Sequence, residues 1–248
     1  MKKLFFIASV GLLFSCNTAD CTNGEQDGNE TGIDCGGDCP PCPTPTPTPT
    51  APVTDIDGNE YATIQIGTQV WMAENLRTTK YCNGDPIPNV TDSLQWVNLA
   101  TGAWAHNNNY SQYENLYGKL YNWYAVDDSR NICPCNWHVP TDAEWTTLID
   151  YLGGEGVAGG KMKSTGTQYW LSPNTDATNE SGFSGLPGGY RKSSGAFYDV
   201  GRWGYWWSST EFGSGFAWPR HLPHGNGLVY RYAIYTKSYG FSVRCIKD

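Results

Sequence analysis

Nine cysteines are the residues whose chemistry follows most directly from this sequence. Cys16 lies where an apolar N-terminal run ends, and the other eight form two groups of four. An even number of cysteines in an exported chain predicts disulfides. The first group is Cys21, Cys35, Cys39 and Cys42, and the second is Cys82, Cys133, Cys135 and Cys245. A thiol enzyme is disfavoured, because that chemistry needs a free thiolate.

Metal binding is the competing interpretation of some of these positions. CxxxC and CxxC spacings can hold zinc, but the first group has acidic neighbours and no nearby histidine, so disulfides are favoured. Asp27, Glu30, Asp34 and Asp38 leave calcium open, although they lack the ligand spacing of an EF-hand. His221-x-x-His224 brackets a Leu-Pro turn with no carboxylate close behind. Chance is the favoured explanation of that pair, and no cofactor is expected.

Aromatic side chains in loop-like stretches suggest a binding surface. Trp and Tyr rings either fill a core or present a flat apolar face with a polar edge. Tryptophans at motif or periodic positions are expected in the core: Trp71, Trp123, Trp137, Trp145, Trp206 and Trp207. A ligand site in loops between residues 165 and 235 is expected from Trp170, Tyr190, Tyr198, Trp203, Trp218 and Arg220, with Phe197, Arg191, Arg202 and His221 interleaved. The alternative is that these side chains only anchor loops.

The N-terminus predicts export. Met1-Lys2-Lys3 precedes eleven apolar or small residues, which is typical of a signal peptide over residues 1–15 and too short to span a bilayer. Ser15-Cys16 resembles the lipobox of bacterial lipoproteins, which implies that Cys16 is lipidated and anchors the chain to a membrane. We expect the outer membrane or cell surface. Removing Lys2 and Lys3 changes the formal charge from −8 to −10, which excludes nucleic acid as an expected partner.

Composition divides the exported chain into three parts. Residues 16–42 contain the expected lipidated cysteine and a small disulfide-rich module with almost no apolar residue. Residues 43–53 alternate Thr and Pro, which predicts an extended linker. Residues 54–248 are long enough for one domain with its own core.

Local patterns predict an α+β domain of short strands, one or two helices and long loops. Thr141-x-x-Glu144 is a capping box, and apolar residues at helical spacing follow it as far as Gly153-Gly154. A second helix is expected over residues 117–125. Strands are expected at residues 61–66, 69–72, 205–209, 229–234 and 241–246.

Six motifs spread along residues 54–248 together resemble one family, the Fibrobacter succinogenes major paralogous domain. They are DIDGNEY at 55–61, IGxQVWMAENL at 66–76, GxLYNWYAV at 118–126, CPxxWHVPTxxEW at 133–145, YWWSST at 205–210 and GFSVRC at 240–245. The resemblance implies a C-type-lectin-like fold, related to the sulfatase-modifying domain that generates formylglycine. It also implies that Cys133 pairs with Cys245. Of the three possible pairings, this one leaves Cys82 with Cys135.

The fold alone does not give the function. The calcium motifs of sugar-binding C-type lectins are absent, and Ser172-Pro173-Asn174 is the nearest approach to them. The paired catalytic cysteines of the formylglycine-generating relatives have no clear counterpart. We therefore expect a non-enzymatic binding or adhesion module whose ligand is a glycan or a protein. The alternatives are a structural envelope component and an enzyme or enzyme accessory. His138 is expected to be a hydrogen-bonded structural residue.

Overall fold

The computed structural model describes residues 21–23, 25–26, 28–29, 37–40 and 46–248. Contacts divide the chain into two compact units, residues 1–45 and 46–248. In the first unit, Cys21 is bonded to Cys39. The expected signal peptide, Cys16, Cys35 and Cys42 lie outside the described residues.

The second unit has twelve short strands and five short helices in its described residues. The strands are β1 Thr48–Thr54, β2 Glu60–Ile66, β3 Gln69–Met72, β4 Trp104–His106, β5 Lys119–Asn122, β6 Trp137–His138, β7 Tyr190–Arg191, β8 Phe197–Tyr198, β9 Trp203–Glu211, β10 Ala217–Pro223, β11 Gly240–Phe241 and β12 Ile246–Lys247. The helices are α1 Ser93–Val97, α2 Glu114–Tyr117, α3 Trp123–Val126, α4 Asp142–Tyr151 and α5 Ala158–Met162, with two 3-10 turns at Asn107–Asn109 and Ser111–Tyr113. The α+β class is therefore confirmed.

Three sheets organise these strands. One has the order β1-β2-β3-β12-β6, a second has the order β4-β5-β11-β7-β8, and β9 pairs with β10 in a two-stranded ribbon. All of the strand pairs are antiparallel. Strand β12 returns from the end of the chain to lie beside β3, so the first and last parts of the domain share a sheet.

Helix α4 forms as its sequence predicts. The Thr141 hydroxyl accepts the Glu144 N–H at 3.2 Å, and the Glu144 carboxylate accepts the Thr141 N–H at 2.7 Å. These two bonds satisfy N–H groups that no helical turn can reach. Gly153 and Gly154 adopt positive φ angles immediately after the helix, as expected for a glycine terminator.

Two large apolar clusters form the core. One gathers residues such as Tyr61, Tyr121 and Trp207, and the other gathers Trp71, Trp145 and Trp206. The six tryptophans expected in the core are all buried: Trp71, Trp123, Trp137, Trp145, Trp206 and Trp207.

The prediction of one helix over residues 117–125 is wrong in the centre of that range. Helix α2 ends at Tyr117, residues Lys119–Asn122 form β5, and α3 begins at Trp123. Gly118 causes the break, because its φ of 72° lies in the left-handed region, and a Cβ there would lie 2.8 Å from the Leu76 carbonyl oxygen. Asn122 then caps α3 by accepting the Ala125 N–H at 3.1 Å.

Two expected strands also differ. In residues 229–234 only Tyr230 bridges to His221, and the rest is loop. Residues 241–246 divide between two sheets, with Phe241 at the end of β11 and Ile246 at the start of β12. This segment is buried throughout because it crosses from one sheet to the other.

The second half of the expected linker joins the domain. Residues Thr48–Thr54 pair with β2 as an edge strand, with a register shift between Thr50 and Val53. The Thr63 hydroxyl donates to the Ala51 carbonyl at 2.7 Å. Proline is tolerated at a sheet edge because its missing N–H is not needed there. The extended backbone was predicted correctly, but its pairing was not.

Two disulfides hold the loops of this unit. Cys133 is bonded to Cys245 across 112 residues, and Cys82 to Cys135 across 53 residues. Both bonds agree with the pairing that the resemblance favoured. None of the described helices is long and apolar enough to cross a membrane.

Candidate ligand-binding surface

The β9–β10 ribbon separates the predicted site residues onto two faces. His221 pairs with Tyr205, and Arg220 pairs with Trp206. Paired residues project to the same side of a sheet, and successive residues project to opposite sides. Tyr205 and His221 therefore lie on one face of the ribbon, while Trp206 and Arg220 lie on the other.

The first face leads to a group of solvent-accessible rings that we call the aromatic surface. Tyr198 and Tyr232 are about half exposed, at 47% and 48%, and the other rings are partly buried. The aromatic surface comprises Tyr190, Tyr198, Trp203, Tyr230, Tyr232, Tyr235 and Tyr239. Buried Tyr205, His221 and Phe241 form its floor.

The rings of this surface are stacked on one another. The imidazole of His221 stacks on the rings of Tyr205 and Tyr230, with centroids 5.1 Å and 5.6 Å away. Tyr190 stacks on Tyr198 and on Tyr239, at 5.7 Å in each case. Because each ring is held by its neighbours, the surface loses little side-chain freedom when a ligand binds.

Asp199 supplies a carboxylate at this surface. Burial raises the pKa of Asp199, which the guanidinium of Arg202 and a hydrogen bond with Tyr205 partly oppose. The Asp199 charge in turn adds to the effect of burial on Tyr190, whose pKa rises to about 12. The half-buried carboxylate therefore offers acceptor oxygens among phenol hydroxyl groups.

His221 forms the floor as a neutral ring. Burial, and secondarily the Arg220 charge, lowers the pKa of His221 to about 3. Its Nδ1 has no hydrogen-bond partner among the residues that the structure describes. A neutral imidazole that is 2% exposed packs as an aromatic ring and is not placed to act as a base.

A cavity of about 410 Å³ adjoins the aromatic surface. Tyr230 and Tyr232 line it together with Glu155, Arg231 and Leu228. The surface thus continues from exposed rings into a concave region with charged groups of both signs. In the described part of the chain, no three His, Cys, Asp or Glu side chains cluster closely enough to hold a metal ion.

Only three of the six predicted ligand-binding residues meet at this surface. Tyr190, Tyr198 and Trp203 belong to it. Trp170 is buried, and its indole N–H donates to Ser164 Oγ and the Gly185 carbonyl, both at 3.1 Å. Its position in a Gly/Ser-rich stretch suggested exposure, but the loop folds over it, so the assignment of Trp170 to the surface is corrected.

Trp218 and Arg220 belong to a different environment. Arg220 is buried and its guanidinium lies 2.6 Å from the Asp142 carboxylate at the start of α4. Trp218 packs under Arg231, with 3.5 Å between guanidinium carbon and ring centroid, and Arg231 pairs with the same carboxylate at 2.7 Å. These residues fasten the ribbon to α4, so Arg220 is corrected from a ligand-binding to a structural residue.

The interleaved Arg191 is also buried. Its guanidinium donates to the carbonyls of Val90, Thr91 and Gly195 and lies 4.1 Å from the Trp96 ring centroid. It therefore holds loop backbone together and is unavailable to a ligand.

The sequence prediction missed Tyr230, Tyr232, Tyr235, Tyr239 and Asp199. Four tyrosines within ten residues were a detectable signal. Two of them, Tyr230 and Tyr232, fell within the strand expected at 229–234 and were therefore interpreted as strand residues. Asp199 carried no signal, since its φ of 65° and its aromatic neighbours depend on the tertiary fold.

His138 has the structural role expected for it. Its ring lies between the carboxylates of Asp248, at 2.6 Å, and Glu144, at 2.9 Å. Burial alone would lower the pKa of His138, but these two carboxylates outweigh burial and raise it.

Comparison with known proteins confirms the family resemblance. The family model of the Fibrobacter succinogenes major domain matches residues 64–247. No curated protein matches the chain, and no solved structure matches it. The match begins within β2 and covers all of the later strands and helices and both disulfides of the second unit, so the chain belongs to the Fibrobacter succinogenes major domain family.

Proposed function

We propose that this domain is a glycan-binding module and that the aromatic surface holds the ligand. The observation that carries the proposal is a stacked group of accessible tyrosine rings surrounding one half-buried carboxylate. Tyr198 and Tyr232 are about half exposed to solvent, and Asp199 lies among the phenol groups of Tyr190, Tyr205 and Tyr235.

This combination suits a sugar because a pyranose ring has an apolar face and a polar edge. Aromatic rings pack against the apolar face, while carboxylate and hydroxyl groups exchange hydrogen bonds with the edge. A few polar groups among aromatic side chains are the usual composition of a small-ligand site. A protein partner with a flat surface would also pack against the rings, but it would form fewer hydrogen bonds with the carboxylate than a sugar would.

We also propose that the module is presented outside the cell on a lipid anchor at Cys16, at the outer membrane or cell surface. The three disulfides among the described residues support an oxidising compartment. Residues Thr48–Thr54 form β1 and pair with β2. The part of the Thr-Pro segment that can act as a spacer is therefore shorter than the whole segment. An adhesion role agrees with this placement.

A C-type-lectin-like architecture is the fold that we propose for residues 46–248. Its support is the return of β12 beside β3, which joins the two ends of the domain in one sheet. Long loops held by disulfides are also consistent with it.

The test is a panel of glycans and polysaccharides titrated with the full chain, purified in a polyoxyethylene detergent, which has no sugar headgroup. Each titration is made with calcium and with chelator, so that a metal requirement is seen separately. Tyr198→Ala and Tyr232→Ala should each weaken binding about tenfold, which corresponds to about 1.4 kcal/mol for a lost aromatic contact.

Tyr110→Ala is the matched control. Tyr110 is 57% exposed and is not one of the surface rings, so its loss should leave binding unchanged. Saturable glycan binding that survives both surface substitutions would contradict the proposed site. No binding to any glycan would refute glycan recognition and favour a protein ligand or a structural envelope role.

A further inference from the structure

A second cavity, of about 310 Å³, lies apart from the residues of the aromatic surface. Three separate parts of the chain line it: residues 73–77, residues 115–118, and residues between 164 and 186, with Arg244 from near the C-terminus. Its polar lining includes Glu74, Arg77, Asn115, Tyr169, Ser184 and Arg244. The volume is at the lower end of the range for ligand sites, which suits a ligand of one ring.

Arg244 is a buried cation in the wall of this cavity. The residue is 1% exposed. Its guanidinium donates twice to Asn75 Oδ1, at 2.8 Å and 3.2 Å, and once to the Phe183 carbonyl. A guanidinium has five N–H groups, so two of them lack an acceptor within the described part of the chain.

Arg244 has no ion-pair partner among the described residues; its guanidinium lies 4.0 Å from the Phe183 ring centroid and interacts with the Glu74 charge only at longer range. No carboxylate of the described residues is within ion-pair distance of Arg244, and Glu74 is 2.6 Å from Arg77 instead. The lining therefore contains two guanidinium groups and one carboxylate, a local excess of one positive charge in a chain of net charge −8. Burial lowers the pKa of Arg244 to about 9, so the group remains charged at neutral pH.

We propose that this cavity binds a small sugar carboxylate, of the uronic acid class. A carboxylate presents two oxygens to the paired N–H groups of a guanidinium, and it supplies the missing negative charge. The hydroxyl groups of Tyr169 and Ser184 and the amide of Asn115 lie in the same lining and suit the remaining sugar hydroxyls. The site is independent of the aromatic surface.

Calorimetric titration of the full chain in the same detergent tests the proposal. The probes are galacturonate, galactose and sodium sulfate at matched ionic strength. Galacturonate should bind with one-to-one stoichiometry, and galactose and sulfate should bind at least tenfold more weakly. The comparison of galacturonate with galactose measures the contribution of the carboxylate. The comparison of galacturonate with sulfate distinguishes recognition of a sugar acid from binding of any anion.

Arg244 is too deeply buried for its substitution to be informative, so the charge of the cavity is changed at its rim. Asn115→Asp places a carboxylate at an exposed position in the lining and should weaken galacturonate binding about fivefold, as expected for one like charge near a partly exposed site. Gln95→Glu adds the same charge at an exposed position outside the lining and should have no effect.

Each outcome bears on the proposal. Absence of galacturonate binding, equal binding of galactose or sulfate, or equal behaviour of Asn115→Asp and Gln95→Glu would overturn it. Tyr110→Ala serves as the internal reference, because Tyr110 is exposed and belongs neither to the aromatic surface nor to the cavity lining, so galacturonate binding should be unchanged in that variant.

Discussion

Lys163 offers the most direct test of how this domain holds its loops. The side chain is completely buried. Its ammonium donates to the carbonyls of Thr175, Pro223 and Asn226, at 2.7, 3.0 and 2.8 Å. One cation therefore fastens the end of β10 to the two loops that contain Thr175 and Asn226.

Lys163→Met keeps the apolar stem and removes the ammonium. The three carbonyls then lack their donor, and at about 2 kcal/mol for each buried acceptor left unpaired the loss amounts to about 6 kcal/mol. Burial lowers the pKa of Lys163 from 10.5 to about 8, which corresponds to a cost of about 3 kcal/mol for keeping the charge. The free energy of unfolding should thus fall by about 3 kcal/mol, or by roughly 6–12 °C in Tm for a domain of this size.

Urea unfolding followed by circular dichroism measures this loss. Lys161→Met is the matched control, because Lys161 is partly exposed and its ammonium forms an ion pair with Glu180 at 2.8 Å. A surface pair contributes about 0–1 kcal/mol. If the two variants lose the same free energy of unfolding, the three carbonyls find other donors and the reasoning about Lys163 is wrong.

The pH dependence gives a second test. The folded-state pKa of Lys163, about 8, is below the unfolded value of 10.5, so between these values the unfolded chain binds the proton more tightly. The stability of the wild type should therefore rise from pH 8 to pH 10.5 relative to Lys163→Met. A constant difference across this interval would contradict the assigned burial cost.

Three further predictions concern stability. The folded-state pKa of His221, about 3, is below the ordinary 6.5, so its contribution is complete above about pH 6.5 and is lost as the pH falls towards 3. In urea unfolding at pH 7 and pH 5, the wild type should lose about 2 kcal/mol more than His221→Phe. Replacing Cys82 and Cys135 by serine opens a loop of 53 residues and should cost about 4 kcal/mol in the same assay at pH 7. Thermal unfolding should show a loss of about 1 kcal/mol for the cap variant Thr141→Ala, against less than 0.5 kcal/mol for the exposed helix variant Thr147→Ala.

Elements whose signals are local could be predicted from the sequence. The capping box at Thr141 and Glu144, the glycines after α4 and the strands β2, β3 and β9 follow from residues within one segment. The segment 117–125 shows the limit of that reasoning. Its apolar spacing suits a helix, but Gly118 and the pairing of β5 with distant strands decide otherwise.

The buried cations show why the candidate site was only half predicted. Lys163 and Arg191 donate to backbone carbonyls, most of them far away in the chain, and Arg244 donates to the distant Phe183 carbonyl and Asn75 amide oxygen. Every residue type has a carbonyl, so no pattern of side chains reveals these partners. An arginine among loop aromatics is therefore predicted to belong to a binding surface even when its role is to donate hydrogen bonds to loop carbonyls.

The position of the aromatic surface follows from the register of one ribbon. Residues 203–207 have aromatic side chains on both faces of β9, so alternation alone does not identify the core face. Both faces are covered, by one cluster that contains Tyr205 and Trp207 and another that contains Trp206. The aromatic surface is the margin of the first cluster, where Trp203 is only partly buried. Removing a margin ring such as Trp203 should therefore cost stability as well as binding, whereas removing the half-exposed Tyr198 should cost binding alone.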